Sequence, residues 1–133
     1  MKLMKLILTA IMAFSFFGLF GCTQSKAPFR TLDVRAFSAF MEQNDVVLLD
    51  VRTAAEHSAG YIPGTDFNID VLNDDFTSTA LKLLPKDKVI ALYCRSGNRS
   101  KKAAVILSSN GYDVVELGSG FNGWYEAGMK IER

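Results

Sequence analysis

Hydrophobic and polar positions from residue 31 onward alternate between short apolar runs and segments with helical periodicity. The runs 46–49 and Val89–Tyr93 are continuously apolar, which is typical of strands buried on both faces of a parallel sheet. Further strands are predicted at 67–69 and Val114–Leu117. The pattern therefore predicts several short, mostly buried strands.

Helical segments separate these strands. Apolar residues spaced by three and four positions follow Asp33, a residue type that caps helix N-termini, and predict the first helix. Thr53 can cap a short second helix, and others are predicted at 74–84, 101–110 and around Trp124. Because strands that alternate with helices form βαβ units, we expect an α/β fold with a parallel sheet and right-handed crossovers.

The first 21 residues have the layout of an export signal. Lys2 and Lys5 precede the run 6–21, which is almost entirely apolar. At 16 residues, this run is shorter than the roughly 20 that a membrane-spanning helix needs. The segment Leu19-Phe20-Gly21-Cys22 resembles the cleavage motif of bacterial lipoproteins, in which the cysteine becomes lipidated. The alternatives are an uncleaved anchor or an ordinary signal peptide cut elsewhere.

This N-terminal pattern sets the predicted domain organisation and location. We expect a signal peptide at 1–21, a lipidated Cys22 with a short tether at 22–30, and one globular domain at 31–133. The exported domain would be held by its lipid at a membrane, facing the periplasm. Thr23 after the lipidated position favours the outer membrane.

Composition narrows the classes of function. The chain has 15 basic and 14 acidic residues, a balance that gives no case for nucleic-acid binding, so that class is set aside. No cluster of histidine, cysteine and carboxylate residues has metal-ligand spacing, so neither a metal nor another cofactor is expected. A length of 133 residues fits one globular domain, which we expect to be a monomer.

The two cysteines differ in their setting. If Cys22 carries the lipid, Cys94 is the single thiol of the exported domain and has no internal disulfide partner. Such a thiol is either a reactive site or a buried inert residue. Cys94 follows the predicted strand Val89–Tyr93 and precedes a helix, a position where open α/β sheets usually hold their functional groups.

The residues after Cys94 favour an anion-binding loop. The N-terminus of the following helix presents free N–H groups and a partial positive charge, and Arg95 and Arg99 add cations. Both a thiolate and an anionic substrate are therefore favoured here. Gly97 and Asn98 permit the backbone conformations in which successive N–H groups point inward.

Four motifs follow one another between about Thr31 and Glu132. They are Leu49-Asp50-Val51-Arg52 with Glu56, Gly60-Tyr61-Ile62-Pro63-Gly64 with Asn68, the loop from Cys94 to Ser100, and Gly118-Ser119-Gly120-Phe121 with Trp124. With these motifs the chain resembles the single-domain rhodaneses, a family of sulfurtransferases. The resemblance implies a rhodanese-like α/β fold, with a central parallel β-sheet of about five strands flanked by helices on both faces.

The resemblance also implies a reaction. Cys94 would take the outer sulfur from a small anionic donor such as thiosulfate, form a persulfide, and pass the sulfur to a thiol or to cyanide. The loop would bind the donor through its backbone N–H groups. In this sequence the loop residues are Arg95, Ser96, Gly97, Asn98 and Arg99.

Three other residues are assigned to structural support. Asp50 at a strand end is expected to accept loop N–H groups, Arg52 to pair with Glu56, and Ser100 to cap the helix. His57, the only histidine, is expected to have a packing or surface role rather than to act as a general base.

Two alternatives stay open. Related folds hold phosphate in a Cys-x5-Arg loop, but Cys94 and Arg99 are separated by four residues and position 100 is serine, so a cysteine-dependent phosphatase is less favoured. The other alternative is a non-catalytic domain that carries persulfide or binds a partner at the membrane.

Overall fold

A parallel β-sheet forms the centre of the computed structural model, which describes residues 28–133. Its five strands are β1 (Arg30–Leu32), β2 (Val46–Asp50), β3 (Phe67–Asn68), β4 (Val89–Tyr93) and β5 (Val114–Leu117). Every pairing is parallel, and the strand order is β1-β5-β4-β2-β3. The predicted fold class is thereby confirmed, and the carboxyl end of β4 opens at the middle of the sheet.

Five helices connect and cover these strands. They are α1 (Val34–Gln43), α2 (Ala54–Ala59), α3 (Phe76–Leu83), α4 (Asn98–Ser109) and α5 (Gly120–Glu126). Asp33 accepts the N–H of Ala36 and caps α1, and Thr53 with Glu56 forms a capping box on α2, because both side chains reach the free N–H groups of a first turn. The α2 cap was predicted for Thr53.

The two faces of the sheet carry separate apolar cores. One core joins side chains of β2 and β4 to α3 and α4, including Phe76 and Leu107. The other joins the opposite face of the sheet to α1 and α5, including Phe37 and Trp124. Helices thus cover both faces, as predicted, and each strand residue of β4 from Ile90 to Tyr93 is completely buried.

Strand β1 was not predicted from the sequence: Arg30 was assigned to the tether, and Thr31 and Leu32 were given no strand. Arg30 pairs with Val115 and Leu32 with Leu117 at the edge of the sheet. The strand has three residues, of which Arg30 and Thr31 are exposed and Leu32 is half-buried. It therefore lacks the apolar run that marks a buried strand.

The predicted signal peptide, Cys22 and the tether as far as residue 27 lie outside the described residues. Within 28–133, no helix has the length and apolar character needed to cross a membrane.

Candidate active site

Cys94 lies at the carboxyl end of the central strand β4, where the chain turns into the loop that leads to α4. The residue is 1% exposed. The backbone N–H of Gly97 donates to its Sγ at 3.0 Å. The sulfur therefore sits at the base of the loop, in contact with a backbone donor that favours negative charge.

Gly97 occupies the tightest position of this loop. Its φ is +104°, in the left-handed region, and a Cβ built on it would lie 2.1 Å from the carbonyl oxygen of Gly118. Only glycine fits so close to another backbone. Because Gly97 ends the loop in this conformation, α4 begins at Asn98, three residues before its predicted start at Lys101.

The first turn of α5 supports the beginning of the loop. The N–H groups of Phe121 and Asn122 donate to the carbonyls of Cys94 and Arg95 at 2.7 and 3.0 Å. A Cβ on Gly120 would lie 2.5 Å from the Arg95 carbonyl, so glycine permits this approach. The motif around Gly120 thus fixes the backbone on which the thiol is carried.

Arg99 is held by Glu56 of α2 in a two-point ion pair. Nη1 and Nη2 of Arg99 donate to the two carboxylate oxygens at 2.7 and 2.8 Å. The hydrogen bond from Arg99 lowers the pKa of Glu56 to about 2 and raises the pKa of Arg99 above its ordinary value. The predicted pairing of Arg52 with Glu56 was wrong, since Glu56 pairs across the site with the loop.

Arg52 instead pairs with Asp50, two residues earlier. Its Nε and Nη2 donate to the Asp50 carboxylate at 2.9 and 2.7 Å, and Asp50 also accepts the backbone N–H of Arg52. Nη2 reaches the carbonyl of Gly60 as well, at 2.6 Å. Burial disfavours the charge of Arg52, but the hydrogen bond and charge of Asp50 outweigh burial and raise the pKa of Arg52. Asp50 was expected to accept N–H groups of the loop, but the recorded partners of its carboxylate are Arg52 and His57.

Aromatic rings enclose the Arg52 guanidinium. It lies 4.4 Å from the centre of the Phe121 ring and 5.4 Å from that of Tyr93. The hydroxyl of Tyr93 accepts the N–H of Ile62 at 3.1 Å, and burial raises the pKa of Tyr93 to about 12. Arg52 therefore joins α2, β4 and α5 beneath the loop.

His57 has a packing position. Its Nδ1 lies 2.9 Å from Oδ2 of Asp50, and its ring stacks on Tyr61 with centres 4.5 Å apart. The imidazole therefore contacts Asp50 at the end of β2 and the ring of Tyr61, and neither contact involves Cys94.

Arg95, Ser96 and Asn98 are the exposed residues of the loop. Within residues 28–133, Arg95 has no carboxylate within salt-bridge distance. It lines a cleft of about 200 Å³ together with Arg52, Glu56, Ala59, Gly60, Phe121 and Asn122. This cleft adjoins the loop and offers a cation to an anionic ligand.

A larger groove of about 540 Å³ lies elsewhere, against α1 and the C-terminal segment. Its lining includes Met41, Leu48 and Trp124 but no loop residue. The larger of these two cavities is therefore not the one that adjoins the Cys94 loop.

Glu116 is a residue of this site that the sequence analysis missed. It lies on β5, is completely buried, and accepts hydrogen bonds from Thr31 Oγ1 at 2.8 Å and from Ser100 Oγ at 2.5 Å. Nζ of Lys101 lies 2.9 Å from its Oε1. Ser100 was expected to cap α4, but its hydroxyl points to Glu116 and the Gly97 carbonyl instead of accepting a free N–H. The sequence did contain one indication of its role, because Glu116 is a charged residue inside the otherwise apolar predicted strand Val114–Leu117.

This geometry defines a class of α/β domain, in which one thiol lies in a backbone-lined loop at the carboxyl edge of a parallel sheet. The family model described as "Rhodanese-like domain" matches residues 33–127. Since the match spans more than half of the chain, the protein belongs to the rhodanese-like domain family.

Similar proteins agree with this assignment. A sulfurtransferase of Allochromatium vinosum is 36% identical over 93 residues, which cover 68% of this chain and 81% of the relative. The thiosulfate sulfurtransferase GlpE of Pseudoalteromonas translucida is 28% identical, with 79% and 98% covered. The crystal structure of a rhodanese-related protein from Thermoplasma volcanium superposes with a TM-score of 0.69 at 28% identity, covering 78% of this chain and 98% of that one.

Proposed function

We propose that this protein is a sulfurtransferase that moves a sulfane sulfur through a persulfide on Cys94. In the first step the Cys94 thiolate attacks the outer sulfur of thiosulfate, an S–S bond forms on the cysteine, and the S–S bond of the donor breaks to release sulfite. In the second step an acceptor thiolate or cyanide attacks the outer sulfur of the persulfide. The products are a new persulfide or thiocyanate and the regenerated Cys94 thiolate.

The observation that supports this proposal most directly is the hydrogen bond from the Gly97 N–H, at the start of α4, to Sγ of Cys94. Negative charge remains near this position in both steps, first on the thiolate and then on the persulfide. A backbone donor and the helix N-terminus stabilise both anions without moving. Family membership and the sulfurtransferase relatives support the same reaction.

The surroundings of Cys94 favour a narrow, anionic donor. Since the residue is 1% exposed, a single terminal sulfur atom reaches Sγ more easily than a bulky tetrahedral group. Arg95 lies in the adjoining cleft and supplies positive charge for the oxygen-bearing end of thiosulfate. This shape argues for sulfur transfer over phosphate hydrolysis.

Cys94→Ser is the decisive variant. We expect the full-length protein incubated with thiosulfate to gain about 32 Da on the peptide that contains Cys94 and to release sulfite, and we expect both signals to vanish in the variant, because the persulfide needs a thiol nucleophile. The measurement is peptide mass spectrometry with a sulfite assay, and Ser109→Ala, at an exposed residue at the end of α4, is the control.

Two outcomes would contradict the proposal. One is the absence of an adduct with thiosulfate, polysulfide and a persulfide donor alike. The other is appreciable hydrolysis of para-nitrophenyl phosphate that is lost in Cys94→Ser, which would favour a phosphatase.

We further propose that the domain works at a membrane surface facing the periplasm, anchored by a lipid on Cys22. The supporting observations are the two lysines, the apolar run and the cysteine of the N-terminal sequence. Mass spectrometry of the N-terminal peptide from membrane-extracted protein tests this proposal. An unmodified peptide beginning at Met1 would contradict it.

A further inference from the structure

Glu116 has a completely buried carboxylate to which the sulfur-transfer steps give no role. A buried carboxylate is strongly unfavourable unless cations and hydrogen-bond donors surround it. Glu116 has one cation, Lys101, and two hydroxyl donors, on Ser100 and Thr31. Two of these three partners belong to the first turn of α4, directly after the loop.

Both partners on α4 also contact the carbonyl of Gly97. Ser100 Oγ lies 2.9 Å from this oxygen, and Lys101 Nζ donates to it at 3.2 Å. The N–H of the same glycine contacts Sγ of Cys94. A continuous set of contacts therefore runs from the buried carboxylate to the residue that touches the sulfur.

The Gly97 carbonyl shares a peptide group with the N–H of Asn98. The C=O and N–H of a trans peptide group point in opposite directions, and no peptide bond among residues 28–133 is cis. Since the carbonyl faces Ser100 and Lys101 along α4, the Asn98 N–H points out of the helix N-terminus toward the loop. A cation on the carbonyl polarises the group and strengthens this N–H as a donor.

We propose that Glu116, acting through Lys101 and Ser100, is a positioning residue for sulfur transfer. It holds the Gly97–Asn98 peptide group in place and so fixes the orientation of Gly97, whose own N–H contacts the sulfur on Cys94. The inference rests on the sulfur-transfer function proposed above. Glu116 contacts neither the sulfur nor the cleft, so it affects the rate of transfer rather than the binding of the donor.

Lys101 and Lys102 form a matched pair for the test. They are adjacent, both are exposed residues of α4, and within the described part of the chain only Lys101 forms an ion pair with Glu116. Lys101→Met removes the cation from the Gly97 carbonyl, Lys101→Arg keeps a cation there, and Lys102→Met changes the net charge equally without touching the loop.

The measurement is single-turnover persulfide formation on Cys94 of the full-length protein across thiosulfate concentrations. Lys101→Met should lower the maximal rate about tenfold, equivalent to ~1.4 kcal/mol of transition-state stabilisation. Its half-saturating thiosulfate concentration should stay within about twofold, because a positioning role acts on the transition state and not on donor binding. Lys101→Arg and Lys102→Met should react at nearly the wild-type rate.

Glu116→Gln completes a double-mutant cycle. The amide keeps the shape of the side chain but loses the charge that holds Lys101, so it should slow transfer by a similar factor. The double variant with Lys101→Met should be no slower than either single variant, since both act through one contact. Equal maximal rates for Lys101→Met and Lys102→Met would overturn the proposal, as would an effect confined to the half-saturating concentration or to the melting temperature.

Alkylation of Cys94 by iodoacetamide at fixed pH separates this inference from the proposed function. If wild-type Cys94 is alkylated but takes no sulfur from any donor, the sulfurtransferase proposal fails by itself. The positioning role is then judged by alkylation: a slower rate in Lys101→Met than in Lys102→Met supports it, and equal rates overturn it.

Discussion

Charged side chains at the site are arranged so that most of the cations are already matched. Three ion pairs surround the loop, namely Arg99–Glu56, Lys101–Glu116 and Arg52–Asp50. Arg95 has no such partner among residues 28–133. The attraction of the loop for an anion therefore comes from Arg95 and from backbone N–H groups, while the paired cations fix the shape of the loop.

Gly97→Ala should be strongly destabilising at the residue scale. The added Cβ meets the Gly118 carbonyl at 2.1 Å, and the φ of +104° is itself strained for alanine. We expect a loss of roughly 2–4 kcal/mol in the free energy of unfolding. Urea unfolding measures this loss.

Gly64→Ala is the control for Gly97→Ala. Its φ is +85°, but nothing lies within 4 Å of the added Cβ, so only backbone strain of about 1 kcal/mol is expected. Equal losses in the two variants would show that the close approach to Gly118 has no energetic effect.

Glu56→Gln should remove an acid-sensitive part of the stability. Glutamine keeps the capping box of α2 but loses the ion pair with Arg99. Because the folded-state pKa of Glu56 is lowered from 4.5 to about 2, the contribution is complete above pH 4.5 and disappears as the pH falls through 2. The variant should therefore be less stable by about 1 kcal/mol at pH 7.

The measurement for Glu56→Gln is urea unfolding at a series of pH values. The difference in unfolding free energy between wild type and variant should shrink between pH 4.5 and 2. Glu126→Gln, at an exposed residue of α5, should show no comparable trend. A difference that stays constant over this range would contradict the assigned ion pair.

Contiguous residues were easier to predict at this scale than distant partners. The segment from Cys94 to Ser100 was recognisable because its glycine and its two arginines lie close together in the sequence. By contrast, Arg99 and Glu56 are 43 residues apart, and Thr31 and Glu116 are 85 apart. Arg52 was matched with Glu56, four residues later in the sequence, but Glu56 pairs with the distant Arg99.

Strand β1 connects the edge of the sheet to the loop. Thr31 on β1 donates to Glu116 on β5, and Glu116 in turn contacts the first turn of α4. Three exposed or half-buried residues give no apolar pattern, which is why sequence analysis recognised β2, β4 and β5 but not this element. Its position depends on pairing with β5.

Thr31→Val tests this contact at the scale of the element. Valine has the same shape and a high strand propensity but leaves one oxygen of the buried carboxylate without its hydroxyl donor. We expect a loss of about 1–2 kcal/mol in unfolding free energy, measured by urea titration. Thr77→Val on α3 is the control, and an equal change in both variants would argue against the contact.

At the scale of the whole molecule, residues 28–133 form two apolar cores, one on each face of the sheet. The central strand β4 contributes to both cores, since Leu92 faces one core and Ala91 faces the other. Neither helical layer has an apolar partner without the sheet, so the two layers should unfold together.

Trp124, the only tryptophan, provides the test of this expectation. It lies in the core of α1 and α5 and donates Nε1–H to the Lys130 carbonyl at 2.8 Å. Its fluorescence and the far-ultraviolet circular dichroism of all helices should give the same urea midpoint. A fluorescence transition that precedes the dichroism transition would mean that this layer unfolds independently.

The hydrogen bonds from α5 to the carbonyls of Cys94 and Arg95 bear on the order in which the chain is synthesised. All five strands are complete at Leu117, but the two donors, on Phe121 and Asn122, come later in the sequence. A chain truncated after Leu117 would contain every strand of the sheet and the thiol, yet neither donor. A segment translated after all five strands thus supplies the backbone support for a cysteine that was translated well before it.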